Sequence, residues 1–339
     1  MNSLERVKAA LELKEPDRVP MLEWSLNPRV TSEIEPNLDV QEFMVKHLDV
    51  VSTYWADEEQ RKKDFYVDEW GIKRKFLGQD YGIPFEHPIQ SKKDLKNYTP
   101  PDPLEDDRLT NLEGLVDNYK GEKAIAFLLE TTFTYAWGLI GMSEFLKLLI
   151  KDPPFARELL DLSFEYNYKL AKQAIEIGAD IIFCGDDLAY KKGLMISKST
   201  FDKHLRHYYE KMIGLTKNLS DVYFVKHSDG NFWELIQPFI DMGVDGINPI
   251  EPTAGMNIKE VKKSFGDDVC LIGNIDCPDL LSKKSPEQVR KSVQNKIIQA
   301  APGGGYILAS SNEIHSSVRP ENFVAMMEAG RKFGEYPIN

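Results

Sequence analysis

Cysteine is scarce in this chain of 339 residues, which has only Cys184, Cys270 and Cys277. Three separated thiols build no disulfide framework and fit a reducing, cytoplasmic setting. Basic residues are also short: 42 Lys and Arg stand against 54 Asp and Glu, a net charge of −12. That balance argues against nucleic acid or an anionic membrane surface as partner, and against a heavily anionic substrate unless a local basic pocket overrides it. Long apolar runs are missing. No stretch approaches 18 uninterrupted apolar residues, so no membrane span is expected. The N-terminal "MNSLERVKAALELKEPDRVP" reads as a charged amphipathic helix rather than a signal peptide. A glycine-rich phosphate turn is absent after the first apolar run, "MLEWSLNPRV", which counts against a dinucleotide-binding open sheet.

What is present is a regular alternation. Strand-like apolar runs occupy 18–24, 48–56, 123–130, 180–188, 222–230, 246–252, 269–276 and 305–314. Amphipathic segments of helical length lie between most of them, and Ser285 before Pro286 and Glu287 marks a helix start. Eight such runs with intervening helices predict an α/β fold, a (β/α)8 TIM-type barrel, as a single domain over 1–339. Residues 57–122 break the rhythm. Their Asp, Lys, Pro and aromatic content predicts a covering excursion after the second strand, over one end of the barrel.

In a parallel barrel, chemistry collects at the carboxyl ends of the strands. Polar residues fall there in run after run: Glu130, then Asp186 and Asp187, then His227 and Asp229. Asn248 and Glu251, Asn274 and Asp276, and finally Asn312, Glu313 and His315 continue the series. Alternation puts His227 and Asp229 on one side of their strand. The pattern predicts one pocket, with His227, Asp229, Asp186 and Glu130 as catalytic groups. Asn248, Glu251, Asn274, Asn312 and Tyr190 are expected to bind substrate. Asp187, Asp276 and Asn231 equally suit helix caps and Asx turns. His47, His87, His204 and His207 fall on helices or in the excursion and read as surface residues. "PGGGY" (302–306) precedes a strand rather than a helix, so it reads as a tight entry turn, not a phosphate cradle.

The segments "EPDRVPM", "DEWGI", "GADIIFCGDDLAYKKGLMIS", "HSDGN", "GVDGINPIEP", "LIGNID" and "PGGGYILASSNEIH…RPENF", in this order, resemble the uroporphyrinogen decarboxylase superfamily from about residue 4 to the C-terminus. The resemblance implies the same barrel and either of two reactions. One branch decarboxylates the acetate side chains of a tetrapyrrole and needs no cofactor. The other transfers methyl groups between a corrinoid and a thiol activated by zinc. Decarboxylases of the family carry an arginine-rich segment after the first strand; here "EWSLNPRVTSEIEP" holds only Arg29. The methyltransferase branch shows His-x-Cys in the fifth strand and a further Cys in the last strand-end loop. Here His227 keeps its place, Asp229 stands for the first cysteine and Asn312 for the second.

The resemblance therefore implies an enzyme of this superfamily, foremost a corrinoid-linked methyltransferase. His227 and Asp229, with Glu313 and His315, would be its zinc ligands, and a corrinoid protein or small molecule its partner. A tetrapyrrole decarboxylase is the alternative, and a non-catalytic subunit that docks a corrinoid protein is a third reading. Aromatic-rich outer helices such as "FDKHLRHYYEKMI" serve either a homodimer face or packing on the barrel.

Overall fold

In the computed structural model the described residues are 1–54, 65–76, 82–105, 107–218 and 222–338. Parts of the second predicted strand (48–56) and of the excursion (57–122) thus lie outside the described residues. Seven parallel strands form one curled sheet in chain order: β1 Val50–Thr53, β2 Ala124–Leu129, β3 Ile181–Cys184, β4 Tyr223–His227, β5 Gly246–Asn248, β6 Cys270–Ile275 and β7 Tyr306–Ser310. Residues i and i+2 of each strand share a face. Val50, Ala126, Phe183, Val225, Ile272 and Ile307 fill the interior. Val51, Phe127, Ile182, Phe224 and Leu271 pack outward, in the core cluster shared with the helices. The barrel expected from the apolar runs is the fold, although each strand is shorter than its run because the polar ends turn away into loops.

The eighth stave is the segment around Met21, and it is bound differently. Pro20 has no amide proton to give a ladder. The segment makes single bridges, Met21 to Leu308 and Leu26 to Ile314, instead of a continuous pairing. Leu308 N donates to Pro20 O, Leu22 N to Leu308 O at 3.0 Å, and Asp49 N to Met21 O at 2.9 Å, so the ring closes between β7 and β1. Side chains complete the seam. Asp49 accepts from Met21 N at 2.9 Å, Ser310 N donates to the Glu23 carboxylate at 3.0 Å, and the Ser52 hydroxyl donates to Trp24 O at 3.0 Å.

Asp49 belongs to a pattern. An aspartate immediately precedes β1, β3 and β5, and each accepts a backbone N–H from the neighbouring stave: Asp49 from Met21, Asp180 from Ile125 and Asp245 from Phe224. Each carboxylate is also held by cations: Asp49 by Arg6 and Arg18, Asp180 by Lys120, Asp245 by Lys217. Burial opposes the charge on Asp49, but Arg18 and Arg6 overcome it and hold its pKa below the usual carboxylate range.

Between β1 and β2 the chain forms three short antiparallel strands, Phe65–Val67, Lys73–Lys75 and Ile83–Glu86. Trp70 anchors them. It is buried, stacks on Tyr135 with centroids 4.6 Å apart, and meets the edge of Tyr166. Arg108 adds a second tie, to Glu69 at 2.8 Å and to the Tyr166 hydroxyl at 2.7 Å. Tyr135 lies in the first turn of the helix Phe133–Ile140, which leaves the carboxyl end of β2, so this anchor sits at the strand-end rim. Among the described residues no single helix is long and apolar enough to cross a membrane.

The entry turn 303–305 explains its glycines. All three have positive φ, and a Cβ on Gly304 would come within 2.4 Å of the Lys14 backbone. Gly303 N donates to the Glu15 carboxylate, an arrangement unsuited to phosphate. Ser285 caps the helix Pro286–Ala300 in a reciprocal box with Gln288.

Removing Asp49 leaves Arg6 and Arg18 without their buried partner and Met21 N without an acceptor. Asp49→Ala should therefore lose about 3–5 kcal/mol of stability in urea unfolding. Replacement of exposed Glu287 by Ala should cost less than about 0.5 kcal/mol.

Candidate metal and acid–base site

His227 is the last residue of β4 and faces the barrel mouth. Its Nδ1 lies 2.6 Å from Asn248 Oδ1, and Asn248 Nδ2 in turn donates to Ile272 O. With the amide so oriented, Nδ1 carries the proton and donates, and the Nε2 lone pair is left for the cavity. Two carboxylates face that nitrogen: Asp229 Oδ1 at 3.6 Å and Asp187 Oδ1 at 3.9 Å. Trp24 lies against the imidazole with ring centroids 4.5 Å apart. Among the described residues, Asp187, His227 and Asp229 form a group whose donor atoms all lie within 4.8 Å of one another.

The loops that carry these groups are tightly made. Asp229 N donates to Asp187 Oδ1 at 2.8 Å, Asn312 Nδ2 donates to Asp229 Oδ2, and Asp229 Oδ1 is left enclosed without a hydrogen-bond partner. Gly230 has φ +83°, and a Cβ there would meet the Ala189–Tyr190 backbone at 2.6 Å. Its N–H donates to the Glu251 carboxylate at 2.8 Å. Asp186 and Ile250 are non-glycine residues at positive φ, +76° and +57°. Such conformations cost energy and persist only where the surroundings enforce them. They flank β4 on either side, at the ends of β3 and β5.

Electrostatics follow from crowding. Burial lowers the His227 pKa, against the pull of Asp187, so the ring stays neutral. Burial, then Asp187, Glu251 and Glu313, pushes Asp229 well above the ordinary aspartate value. Glu130, packed under Gly185 where a Cβ would strike its carboxylate, is raised to about 7 by burial and then by Asp186 and Asp187. Glu23, which the apolar pattern hid inside the first run, is raised to about 8 by burial.

The expected residues divide accordingly. His227, Asp229, Asn248 and Asn312 are joined by direct contacts, Glu251 and Glu313 act on Asp229 through charge, and Glu130 is coupled instead to Asp186 and Asp187. Asp187, weighed as a cap, is the third donor. Asp186 is taken up elsewhere: its carboxylate accepts from Thr132 N, Phe133 N and Thr134 N and from the Thr131 and Tyr209 hydroxyls, capping the helix Phe133–Ile140. Asn274 reaches Ile250 O. Tyr190 is half-exposed and braces the His227 loop through its carbonyl, which accepts from Asn231 N. Glu313 and His315 stand outside the three-residue donor group, and His315 Nδ1 accepts from Ser317 N. Asp276 does cap, accepting from Asp279 N, and Asn231 makes an Asx turn, accepting from Trp233 N. His47 and His87 are part-buried, bonded to Glu35 and to Gly138 O. Trp24 and Lys226 also belong to this end. Lys226 was visible as a charge inside an apolar run, whereas nothing local marks Trp24.

The raised Glu130 pKa makes a testable linkage. The folded state keeps a proton that the unfolded state releases near 4.5, so stability is full at low pH and falls as pH rises towards about 7. The loss is roughly 2 kcal/mol once the group's partial exposure is allowed for. Glu130→Gln should remove that part of the slope, read from urea unfolding at pH 4 to 8.

A donor set of one imidazole and two carboxylates can hold a divalent cation, and it can equally move a proton between His227 and Asp229. Comparison with known proteins narrows the setting. The sequence pattern of the uroporphyrinogen decarboxylase (URO-D) family matches residues 68–333. A uroporphyrinogen decarboxylase of Pseudoalteromonas atlantica is 24% identical over 271 residues, 76% of this chain and 73% of that one. A methylcobamide:CoM methyltransferase of Methanosarcina mazei is 26% identical over 270 residues, 78% of this chain and 75% of that one. A second such methyltransferase, from Methanosarcina barkeri, is 27% identical over 201 residues, 59% and 56% of the two chains. The solved structure of a methyltransferase from Methanosarcina mazei superposes with a TM-score of 0.77 at 20% identity, over 98% of this chain and 99% of that one, and shares the fold. With four-fifths of its length matched by the family pattern, the chain belongs to the uroporphyrinogen decarboxylase family.

Proposed function

We propose that this protein is a corrinoid-linked methyltransferase whose strand-end site holds a divalent cation on His227, Asp229 and Asp187. The carrying observation is the neutral imidazole Nε2 directed between two carboxylates, one of which has an enclosed oxygen with no partner. An enclosed carboxylate oxygen without a donor is costly unless a proton or cation meets it. The residues fit such an ion. Imidazole and carboxylate both ligate zinc, and the Nδ1–Asn248 bond is the outer contact that fixes the tautomer and aims the ring. Without thiolates the set is harder than a sulfur-rich zinc site and also suits cobalt or manganese.

A bound cation supplies Lewis acidity, lowering the pKa of a coordinated acceptor or polarising a donor. The protein's own groups do the rest. Asn248 orients His227, Asn312 turns the free oxygen of Asp229 to the cavity, and Trp24 shields one face of the imidazole from water. Glu130, poised near neutrality, is placed to store the proton that an acceptor releases.

Decarboxylation of a polyanionic tetrapyrrole is disfavoured by charge. Asp187, Asp229, Glu251 and Glu313 crowd the mouth, and Arg29 is spent on Ser316 O, Val318 O and Glu33. A multiply carboxylated ligand needs guanidinium partners. The relatives of both names leave the methyl donor and acceptor to experiment, and an accompanying corrinoid protein is the expected partner.

The test is metal analysis with demethylation of methylcobalamin in the presence of a thiol. About one tightly held divalent ion per chain and chelator-sensitive transfer are expected. His227→Ala should abolish both at a stability cost of about 1–3 kcal/mol from the orphaned Asn248. Asn248→Ala should keep the fold and weaken metal binding about 10–100-fold. A metal-free protein that decarboxylates uroporphyrinogen would overturn this reading.

A further inference from the structure

Lys226 precedes His227 in β4, inside the run "YFVKH", and is fully buried. Alternation sends its side chain to the helix side of the sheet while His227 points into the mouth. Its ammonium carries three protons and accepts nothing. Three backbone carbonyls take them: those of Gly185, Asp186 and His227, with Asp186 O at 2.8 Å. Tyr209 and Phe239 present their ring faces to the same charge, at 5.5 and 5.6 Å.

The position of these carbonyls matters. The β3–β4 pairing runs from Ile181↔Tyr223 to Cys184↔Lys226 and goes no further. Gly185, Asp186 and His227 lie just beyond it, where the two strands part. One ammonium thus joins the two strand ends where the ladder stops. Asp187 follows Asp186 directly, and His227 carries its imidazole from the same residue whose carbonyl is held. The turn has little freedom otherwise. Gly185 N is tied to Leu129 O at 2.7 Å, and the Asp186 carboxylate is fixed on the helix Phe133–Ile140.

We propose that Lys226 is a positioning residue: by gathering the carbonyls of Gly185, Asp186 and His227 on one ammonium, it sets the separation of Asp187 and His227 across the site. That separation is 3.9 Å between Oδ1 and Nε2. The consequence for metal affinity rests on the function proposed above; the positioning itself does not.

Two readings of Lys226→Met test it: the Asp187–His227 gap in crystals of the metal-free protein, and cobalt(II) affinity followed by visible ligand-field absorption. Ile213→Ala, a core deletion behind the sheet, is the control for general destabilisation. The gap should widen by about 1 Å or more and cobalt affinity should fall at least about tenfold in Lys226→Met, with both unchanged in Ile213→Ala. An unchanged gap overturns the proposal, and so does an equal loss in the control. A widened gap in a protein whose wild type takes up no cobalt upholds the positioning role and sinks the metal reading. If Lys226→Met does not fold, Lys226→Arg carries the test, because a planar fork keeps the charge but cannot meet three converging carbonyls. Its gap should widen, and a wild-type gap overturns the proposal.

Discussion

Closure of the barrel depends on carboxylates that accept backbone N–H groups where the strand ladder cannot. The stave around Met21 carries Pro20 and pairs through isolated bridges, yet every barrel must seal this edge or expose it. Asp49 at one end of the seam and Glu23 at the other accept from Met21 N and Ser310 N. They do different electrostatic work. Asp49 meets two arginines and stays charged, whereas Glu23, whose donors among the described residues are Ser310 N and its hydroxyl, is pushed up by burial to about 8. Glu23 also sets the site, since Trp24 follows it and rests on His227. The seam and the imidazole are therefore held by neighbouring residues of one short segment.

The same device recurs at the mouth with the opposite purpose. Asp186 gathers five donors and anchors a helix, and Lys226 gathers three carbonyls behind it. Both satisfy their hydrogen-bonding capacity almost completely, as buried charges must. Asp229, two residues past His227, does not: one of its oxygens is enclosed and unpartnered. Asn274 Oδ1 and the Thr132 hydroxyl at this end also lack a partner among the described residues, but Asp229 is the carboxylate among them, and it is the one that faces the His227 imidazole.

Much of this was legible in the sequence, for a physical reason. Buried parallel strands need apolar runs, and the runs ending in Glu130, Asp186, His227, Asn248 and Asn274 mark the staves and their carboxyl ends. Strand lengths were overread because "CGDDL" and "NPIEP" extend the runs with residues that already turn. The roles within the ends were harder. Asp186 and Asp187 are adjacent and chemically identical, and only the left-handed backbone at Asp186 sends one carboxylate to a helix and the other to His227. No periodicity carries that information. Glu313 and His315 were drawn into the ligand set by their place after the last strand. The loop instead presents Asn312, which orients Asp229 from the side.

The family frame and the reaction separate on these few positions. A barrel of this kind tolerates different chemistries because its mouth is built from loop residues on a rigid scaffold. Here the scaffold fixes a neutral histidine by Asn248 from the next strand, a device independent of what completes the site. What completes it is carboxylate and amide rather than thiolate. A thiolate set would hold its cation through soft, strong bonds and leave it weakly acidic. The Asp187–His227–Asp229 set would hold it more loosely and leave it a stronger Lewis acid. Asp229 would also have to give up its proton before it could ligate, because burial, and then its neighbours Asp187, Glu251 and Glu313, favour the neutral form. The crowding that would repel a polyanion at the mouth would thus also couple cation binding to proton release, and the same carboxylate Asp187 acts on both Asp229 and Glu130.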